Sequence, residues 1–219
     1  HHMTETGGGL FLVNTDPLLT NVTIVHNTAY VYGGGMYLDH SNPTLINVTI
    51  SNNFAMAGGG MYLSSSHPTL THVTISGNTD YNGNASPYDA MCIFNSNPTL
   101  TNCIIWGNSI YLNNSSQAII TYSDIQGDSL WFGEGNINVD PLFTEPENGD
   151  YTLQENSPCI DAGTADTDGD GYDDITDYYG QAPDMGAFES NFESCESGFY
   201  DYCGICDGEN IQLIECWDG

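Results

Sequence analysis

The chain has 219 residues, 29 Asp plus Glu, and neither lysine nor arginine, so its formal charge is −29 with the histidines neutral. Ordinary globular chains carry both signs. The missing cations exclude nucleic-acid binding through phosphate neutralisation, polybasic membrane docking, P-loop or Schiff-base lysine chemistry and arginine fingers. Each acid is left to water, backbone N–H groups, histidine or a bound cation. Hydrophobic content is 39%, enough for a core, and no apolar run approaches the roughly 18 residues of a membrane span. His1-His2-Met3 reads as a tag remnant.

From Gly7 onward the chain repeats itself. Gly7-Gly8-Gly9-Leu10-Phe11-Leu12 recurs as Gly33-Gly34-Gly35-Met36-Tyr37-Leu38 and Gly58-Gly59-Gly60-Met61-Tyr62-Leu63, with a degraded copy at Ala90-Met91-Cys92-Ile93. Pro17, Pro43, Pro68 and Pro98 keep step at intervals of 26, 25 and 30. Leu19-Thr20-Asn21-Val22-Thr23-Ile24 returns as 45–50, 70–75 and 100–105, and each unit closes on an asparagine: Asn27, Asn53, Asn78 and Asn108. The unit is too short and too rich in β-branched residues for a helical hairpin. Short apolar–polar alternations between Gly, Asn and Pro predict one coil of a parallel β-solenoid per unit. Met36, Leu38, Leu45, Val48 and Ile50 are expected inside, with Tyr37, Thr44 and Thr49 outside and a bend near Asn47. The asparagines are expected to form an amide ladder, and residues 80–89 a loop insertion. Shorter coils follow at 110–112, 118–125 and 136–139.

These repeats resemble the right-handed parallel β-helix of secreted bacterial proteins in the pectin-lyase-like superfamily, over about residues 7–143. Ser157-Pro158-Cys159-Ile160-Asp161-Ala162-Gly163 and Pro183-Asp184-Met185-Gly186-Ala187-Phe188-Glu189 resemble the closing segment of such proteins. The expected architecture is all-β: coils over 4–143, an irregular closing segment over 144–190 and a small Cys-rich tail over 191–219. The resemblance implies a secreted or cell-surface location. It says little of activity, because the fold carries lyases, hydrolases and adhesins alike.

The acids are unevenly spread. Residues 1–120 contain only Glu5, Asp16, Asp39, Asp80 and Asp89. The sharpest acidic motif is Asp166-Thr167-Asp168-Gly169-Asp170-Gly171-Tyr172-Asp173-Asp174-Ile175-Thr176-Asp177. Set on a twelve-position calcium loop, Asp166, Asp168 and Asp170 take positions 1, 3 and 5. Gly171 makes the turn, Tyr172 offers its carbonyl, and Asp174 and Asp177 take positions 9 and 12. The motif resembles the loops of thrombospondin type 3 and dockerin modules, with Asp in place of the final Glu. Ca²⁺ is therefore the expected cofactor, pinning the closing segment.

Cys195, Cys203, Cys206 and Cys216 crowd the tail. Four cysteines with almost no core point to two disulfides and an oxidising compartment, and a zinc site is the alternative. Cys103 falls at an inward position, Cys92 replaces an outward tyrosine, and Cys159 lies in the closing segment.

Two outward columns offer binding surfaces. Phe11, Tyr37, Tyr62 and Tyr111 are expected to form an aromatic column interrupted at Cys92, suited to a polysaccharide or cell-surface glycan; the alternative is stacking that only stabilises the sheet. Thr23, Thr49 and Thr74 form a second column. Paired Thr-x-Thr at 69–71 and 99–101 suggests ice binding, although Leu18 and Ile46 break the array and threonine favours strands anyway. For catalysis, glycoside hydrolysis needs clustered carboxylates, and the body offers only Asp16 and Asp39 in different columns, with His40, His67 and His72 nearby in the repeat. The expected function is thus a non-catalytic, structural or adhesive module that binds polysaccharide. A glycoside-hydrolase-type enzyme comes second and an ice-binding protein third. The first coil lacks a cap, so self-association through the N-terminal solenoid end is the expected partner interaction.

Overall fold

The computed structural model describes residues 4–80, 90–107, 109–113, 115–127, 131 and 133–192. Each of the first three coils turns at four residues of positive φ. The first coil holds β1 (Thr4–Thr6), β2 (Leu10–Val13), β3 (Leu18–Thr20) and β4 (Thr23–Val25). The second holds β5 (Ala29–Tyr32), β6 (Met36–Asp39) and β7 (Thr44–Ser51), and the third holds β8 (Met61–Ser64) and β9 (Thr69–Ser76). The fourth holds β10 (Met91–Phe94), β11 (Thr99–Thr101) and β12 (Ile104–Trp106), followed by β13 (Ile110–Leu112), β14 (Ile119–Thr121) and β15 (Asp124–Ile125). All of these pair in parallel with the next coil, in the register the repeat demands. Leu10, Met36, Met61, Met91 and Ile110 lie one over another. So do Ile24, Ile50, Ile75, Ile105 and Ile125. The predicted parallel solenoid is the observed architecture.

Inward residues form one continuous core, with Met36, Leu38, Leu45, Val48 and Ile50 all fully buried. The bend expected near Asn47 is present and recurs: Asn21, Asn47, His72, Asn102 and Tyr122 hold φ between 47° and 55°. Asparagine tolerates this left-handed region better than branched residues do. The glycine triplets have a second cause. A Cβ on Gly34 would lie 2.5 Å from the Gly59 carbonyl oxygen, and one on Gly35 would lie 2.6 Å from that of Gly60. The coils therefore stack at this corner only because side chains are absent there.

Inside the turns the polar groups are laddered. Asn27 N–H donates to Asn53 Oδ1 at 2.9 Å, and Asn53 N–H donates to Asn78 Oδ1 at 3.0 Å. Position 108, the fourth expected rung, lies outside the described residues. A serine ladder, unnoticed in the sequence, runs along another turn. Thr15, Ser41, Ser66 and Ser96 each donate their N–H to the hydroxyl of Ser41, Ser66, Ser96 and Ser116 in turn.

Beyond the coils, β16 (Phe143–Glu145) and β17 (Asp150–Leu153) form an antiparallel hairpin. The chain then folds back along the outside of the sheet that contains β7, β9 and β12. Ile104 points outward there into a second apolar cluster with Phe143, Tyr151, Cys159, Ile160 and Met185. This corrects the expected open threonine column. Thr74 is fully buried and Thr49 nearly so, and Ala187 N–H donates to Thr74 Oγ1 at 2.9 Å. Thr74 is a docking point for the closing segment, because its hydroxyl receives a backbone N–H group that would otherwise be unpaired. Only the Thr49–Thr74 part of the column is covered: Thr23 and Thr69 stay exposed, and Thr71 and Thr99 are half-buried.

In the closing segment carboxylates serve as acceptors for backbone N–H groups. Asp184, fully buried, accepts N–H bonds from Asp161 at 2.9 Å and Ser190 at 2.8 Å. Glu189 accepts from Asp184 and Tyr179. Burial raises both carboxyls above their ordinary range.

Candidate ligand and metal sites

The aromatic residues lie on the outer face of the sheet built from β2, β6, β8, β10 and β13. Strand alternation sends Leu12, Leu38 and Leu63 inward, so Phe11, Tyr37 and Tyr62 must point outward. Phe11 and Tyr37 stack with centroids 5.3 Å apart and planes 9° apart, and Tyr37 and Tyr62 follow at 5.5 Å and 9°. The expected break at Cys92 is bridged. Phe94, two residues further along the same strand, leans across to Tyr62 at 5.3 Å and to Tyr111 at 5.7 Å. The result is an unbroken row of five rings. Tyr32 from the neighbouring corner adds a sixth, 4.4 Å from Tyr62. Burial pushes the Tyr62 hydroxyl up to about 12 and raises that of Tyr37. Cys92 itself is buried beneath it. Sequence reasoning missed Phe94 because it occupies the outward position next to the column rather than the column itself.

The acidic loop is built from Asx-type turns. Asp166 accepts from the N–H groups of Gly169 and Gly171 at 2.7 and 2.8 Å. Thr167 donates its N–H and hydroxyl to Asp174 Oδ2 at 3.0 and 2.6 Å, and these bonds hold the Asp174 carboxyl below the usual range. One ligand oxygen each from Asp166, Asp168 and Asp174 lies within 4.8 Å of the others. Asp170 instead accepts from the N–H of Tyr172. Asp177 lies outside the group of three, on the wall of an open groove of about 500 Å³ that also includes Asn47, His72 and Glu189.

His72 shows what that wall can do. Its Nδ1 meets the Gly186 carbonyl at 3.3 Å and its Nε2 meets the Asn102 amide at 3.1 Å. A carbonyl only accepts, so Nδ1 carries the proton and Nε2 accepts from Asn102. Burial lowers the basicity of the ring. This neutral histidine anchors the closing segment to the corner.

A family model described as "Right handed beta helix region" matches residues 4–153. The chain belongs to this family. No curated protein and no solved structure matches it. The match spans every coil and extends through the β16–β17 hairpin.

Elsewhere on the β-helix, Asp16 and His67 flank Asn42 in one turn ladder, next to the Asp39–His40 pair. Asp39 contacts His40 Nδ1 at 2.8 Å. Asp16 accepts from Asn42 N–H at 2.6 Å. His67 accepts from Asn97 N–H at 3.0 Å in the same exposed turn ladder. Neither His67 nor His72 takes its partners from Asp39. Cys103 and Cys159 are buried free thiols, and burial pushes Cys103 up to about 12, which makes it a poor nucleophile. Cys195, Cys203, Cys206 and Cys216, the expected disulfide or zinc residues, lie outside the described residues, as do residues 81–89 of the expected insertion. Among the described residues no helix is long and apolar enough to cross a membrane.

Proposed function

We propose that this β-helix is a secreted or cell-surface module, non-catalytic, that binds polysaccharide along its aromatic row and is stabilised by calcium in the 166–177 loop. The observation that carries the reading is the continuous row from Phe11 to Tyr111 on a sheet whose only acid is Asp39. Phe11 is exposed and Tyr37, Tyr62, Phe94 and Tyr111 half-buried, and aromatics already held rigid bind amphipathic ligands with little entropy lost on ordering. With no lysine or arginine available, the ligand is a neutral glycan, its C–H groups on exposed ring faces and its hydroxyls on the tyrosine O–H groups. The free ring face of Phe11, 55% exposed, terminates the row. The acids shifted upward by burial, Asp124, Asp184 and Glu189, all accept backbone N–H groups, which supports a structural use of carboxylates over a catalytic one.

For calcium, Asp166, Asp168 and Asp174 supply hard oxygen donors of the right kind, and the ion takes six to eight such oxygens. Asp170, Asp177 and the Tyr172 carbonyl are near enough in sequence to complete the shell. Binding would neutralise a loop that has no cationic side chain to do so.

Two measurements test this. Melting with excess calcium against excess chelator should separate the two curves, since ligand at about 100 times Kd adds about 2.7 kcal/mol; coincident curves remove the calcium claim. A glycan array on the calcium-loaded protein should give hits that weaken about tenfold or more in Tyr37→Ala and Tyr62→Ala, with circular dichroism unchanged. A blank array removes the polysaccharide claim. Reducing-sugar release that disappears in Asp39→Asn would show an enzyme instead.

A further inference from the structure

Three tyrosines of the aromatic row touch one another. Tyr62 stacks on Tyr37 with centroids 5.5 Å apart and planes 9° apart. Tyr32 lies closer, 4.4 Å from Tyr62, with its plane tilted by 37°. The sequence explains the approach. Tyr32 stands over Ala57 of the next coil, and Gly58-Gly59-Gly60 follow, so no bulky side chain at that corner separates Tyr32 from Tyr62. The two residues belong to successive coils, Tyr32 at the end of β5 and Tyr62 within β8. Tyr32 is 37% exposed, open to a reagent in solution. Phe11 and Phe94 flank the tyrosines along the row and have no hydroxyl to oxidise.

We propose that Tyr32 and Tyr62 are a site of oxidative cross-linking, joined as dityrosine by hydrogen peroxide acting through a one-electron oxidant of the peroxidase class. Each phenol gives up one electron and its hydroxyl proton and becomes a phenoxyl radical, whose unpaired spin rests partly on the carbons next to the oxygen. A carbon–carbon bond forms between one such Cε of Tyr32 and one of Tyr62. The hydrogen displaced from each of these carbons moves to its own phenol oxygen, which restores both hydroxyls and both aromatic rings. One hydrogen peroxide takes up the two electrons and two protons and leaves as two waters. Ring contact in the folded state makes the coupling intramolecular, which favours it over coupling between chains. Tyr37 is the competing partner, but it sits further from Tyr62 and its nearly parallel plane holds the ring edges at the full stacking distance. The bond staples the second coil to the third, and a cross-link that closes a long loop stabilises by restricting the unfolded chain. Among the described residues no disulfide joins one coil to another. This inference is independent of the carbohydrate and calcium readings.

The test treats dilute folded protein with a haem peroxidase and hydrogen peroxide, then reads dityrosine fluorescence of the monomer, the masses of the linked peptides and the melting temperature. The expected result is a monomer that carries Tyr32 and Tyr62 in one linked pair of peptides, lighter by two hydrogens than the two peptides apart, and that melts at a higher temperature than the untreated protein. Tyr32→Phe and Tyr62→Phe keep the rings without the hydroxyls, and each should lower the fluorescence of the monomer by about tenfold or more. Tyr37→Phe should leave most of it. A monomer without dityrosine overturns the proposal. So does a link found chiefly on Tyr37 or on tyrosines outside the row, or a yield indifferent to Tyr32→Phe.

Discussion

Asn53→Ala should destabilise the protein by about 4 kcal/mol, lowering the melting temperature by about 10 °C or more. The Asn53 side chain is fully buried and makes four hydrogen bonds. Its Oδ1 accepts from both the N–H and the side-chain amide of Asn27, at 2.9 and 3.0 Å. Its Nδ2 donates to the Ile24 carbonyl at 2.8 Å and to Asn78 Oδ1 at 3.1 Å. Alanine removes all four, including the acceptor of the Asn27 N–H. A buried polar group left unsatisfied costs about 1–3 kcal/mol, more than the bond itself contributes. Ser66→Ala, which removes an acceptor for Ser41 N–H and a donor to the Ser64 carbonyl, should cost about half as much. Asn42→Ala on the exposed turn ladder should cost about 0.5 kcal/mol or less. Urea denaturation of the three variants checks the order. An Asn53→Ala protein as stable as the parent would mean that the amide ladder merely decorates a sheet held by its core.

Asp124→Asn should do the opposite, stabilising the protein at neutral pH by about 2–3 kcal/mol and leaving it unchanged near pH 4. Asp124 is fully buried where the last coil meets the closing segment. It accepts only one backbone N–H, from Val139 at 3.2 Å, and the weak Cys159 thiol donor at 3.4 Å. Burial raises its carboxyl from 3.8 to about 6. The folded state therefore holds the proton more tightly than the unfolded state does. Stability is greatest in acid and falls as pH rises from 3.8 through about 6, by about 3 kcal/mol for a two-unit shift. Asp184 and Glu189 are shifted the same way, so the trend is shared. Asparagine keeps the acceptor for Val139 and never charges. Chemical denaturation of both proteins across pH 4–8, with chelator present so that the proposed calcium adds no dependence of its own, decides it. A parent protein whose stability climbs steadily to pH 7 would show that its buried carboxylates are better solvated than the fold suggests.

The coil register was legible because a repeat reports it directly. When Met36 and Met61 recur with the same flanking glycines and Met91 follows in step, only one stacking places all of them inside, since a one-residue slip would turn every leucine of the sheet outward. The amide ladder was legible for the same reason. The serine ladder was less so, because Ser41, Ser66 and Ser96 sit in turns where serine is expected anyway. At the candidate sites the column of Phe11, Tyr37, Tyr62 and Tyr111 could be read from alternation, whereas Phe94 could not. Its part depends on a diagonal lean between neighbouring strands, which periodicity does not encode. In the acidic loop, spacing marked out six residues, and the fold brings together Asp166, Asp168 and Asp174.

By itself the sequence determined the parallel coils, their register, the inward core and the outward aromatics, because each follows from contacts between residues a constant distance apart in the chain. Only the tertiary structure decided the fate of the outer faces. The closing segment has no repeat to align it, so nothing in its order of residues announced that it would lie on Thr49, Thr74 and Ile104, bury Asp124 and Asp184, and leave the aromatic row open. That choice rests on where one irregular strip of chain finds apolar surface and unpaired N–H groups at the same place, a condition set by the assembled sheet rather than by any local pattern.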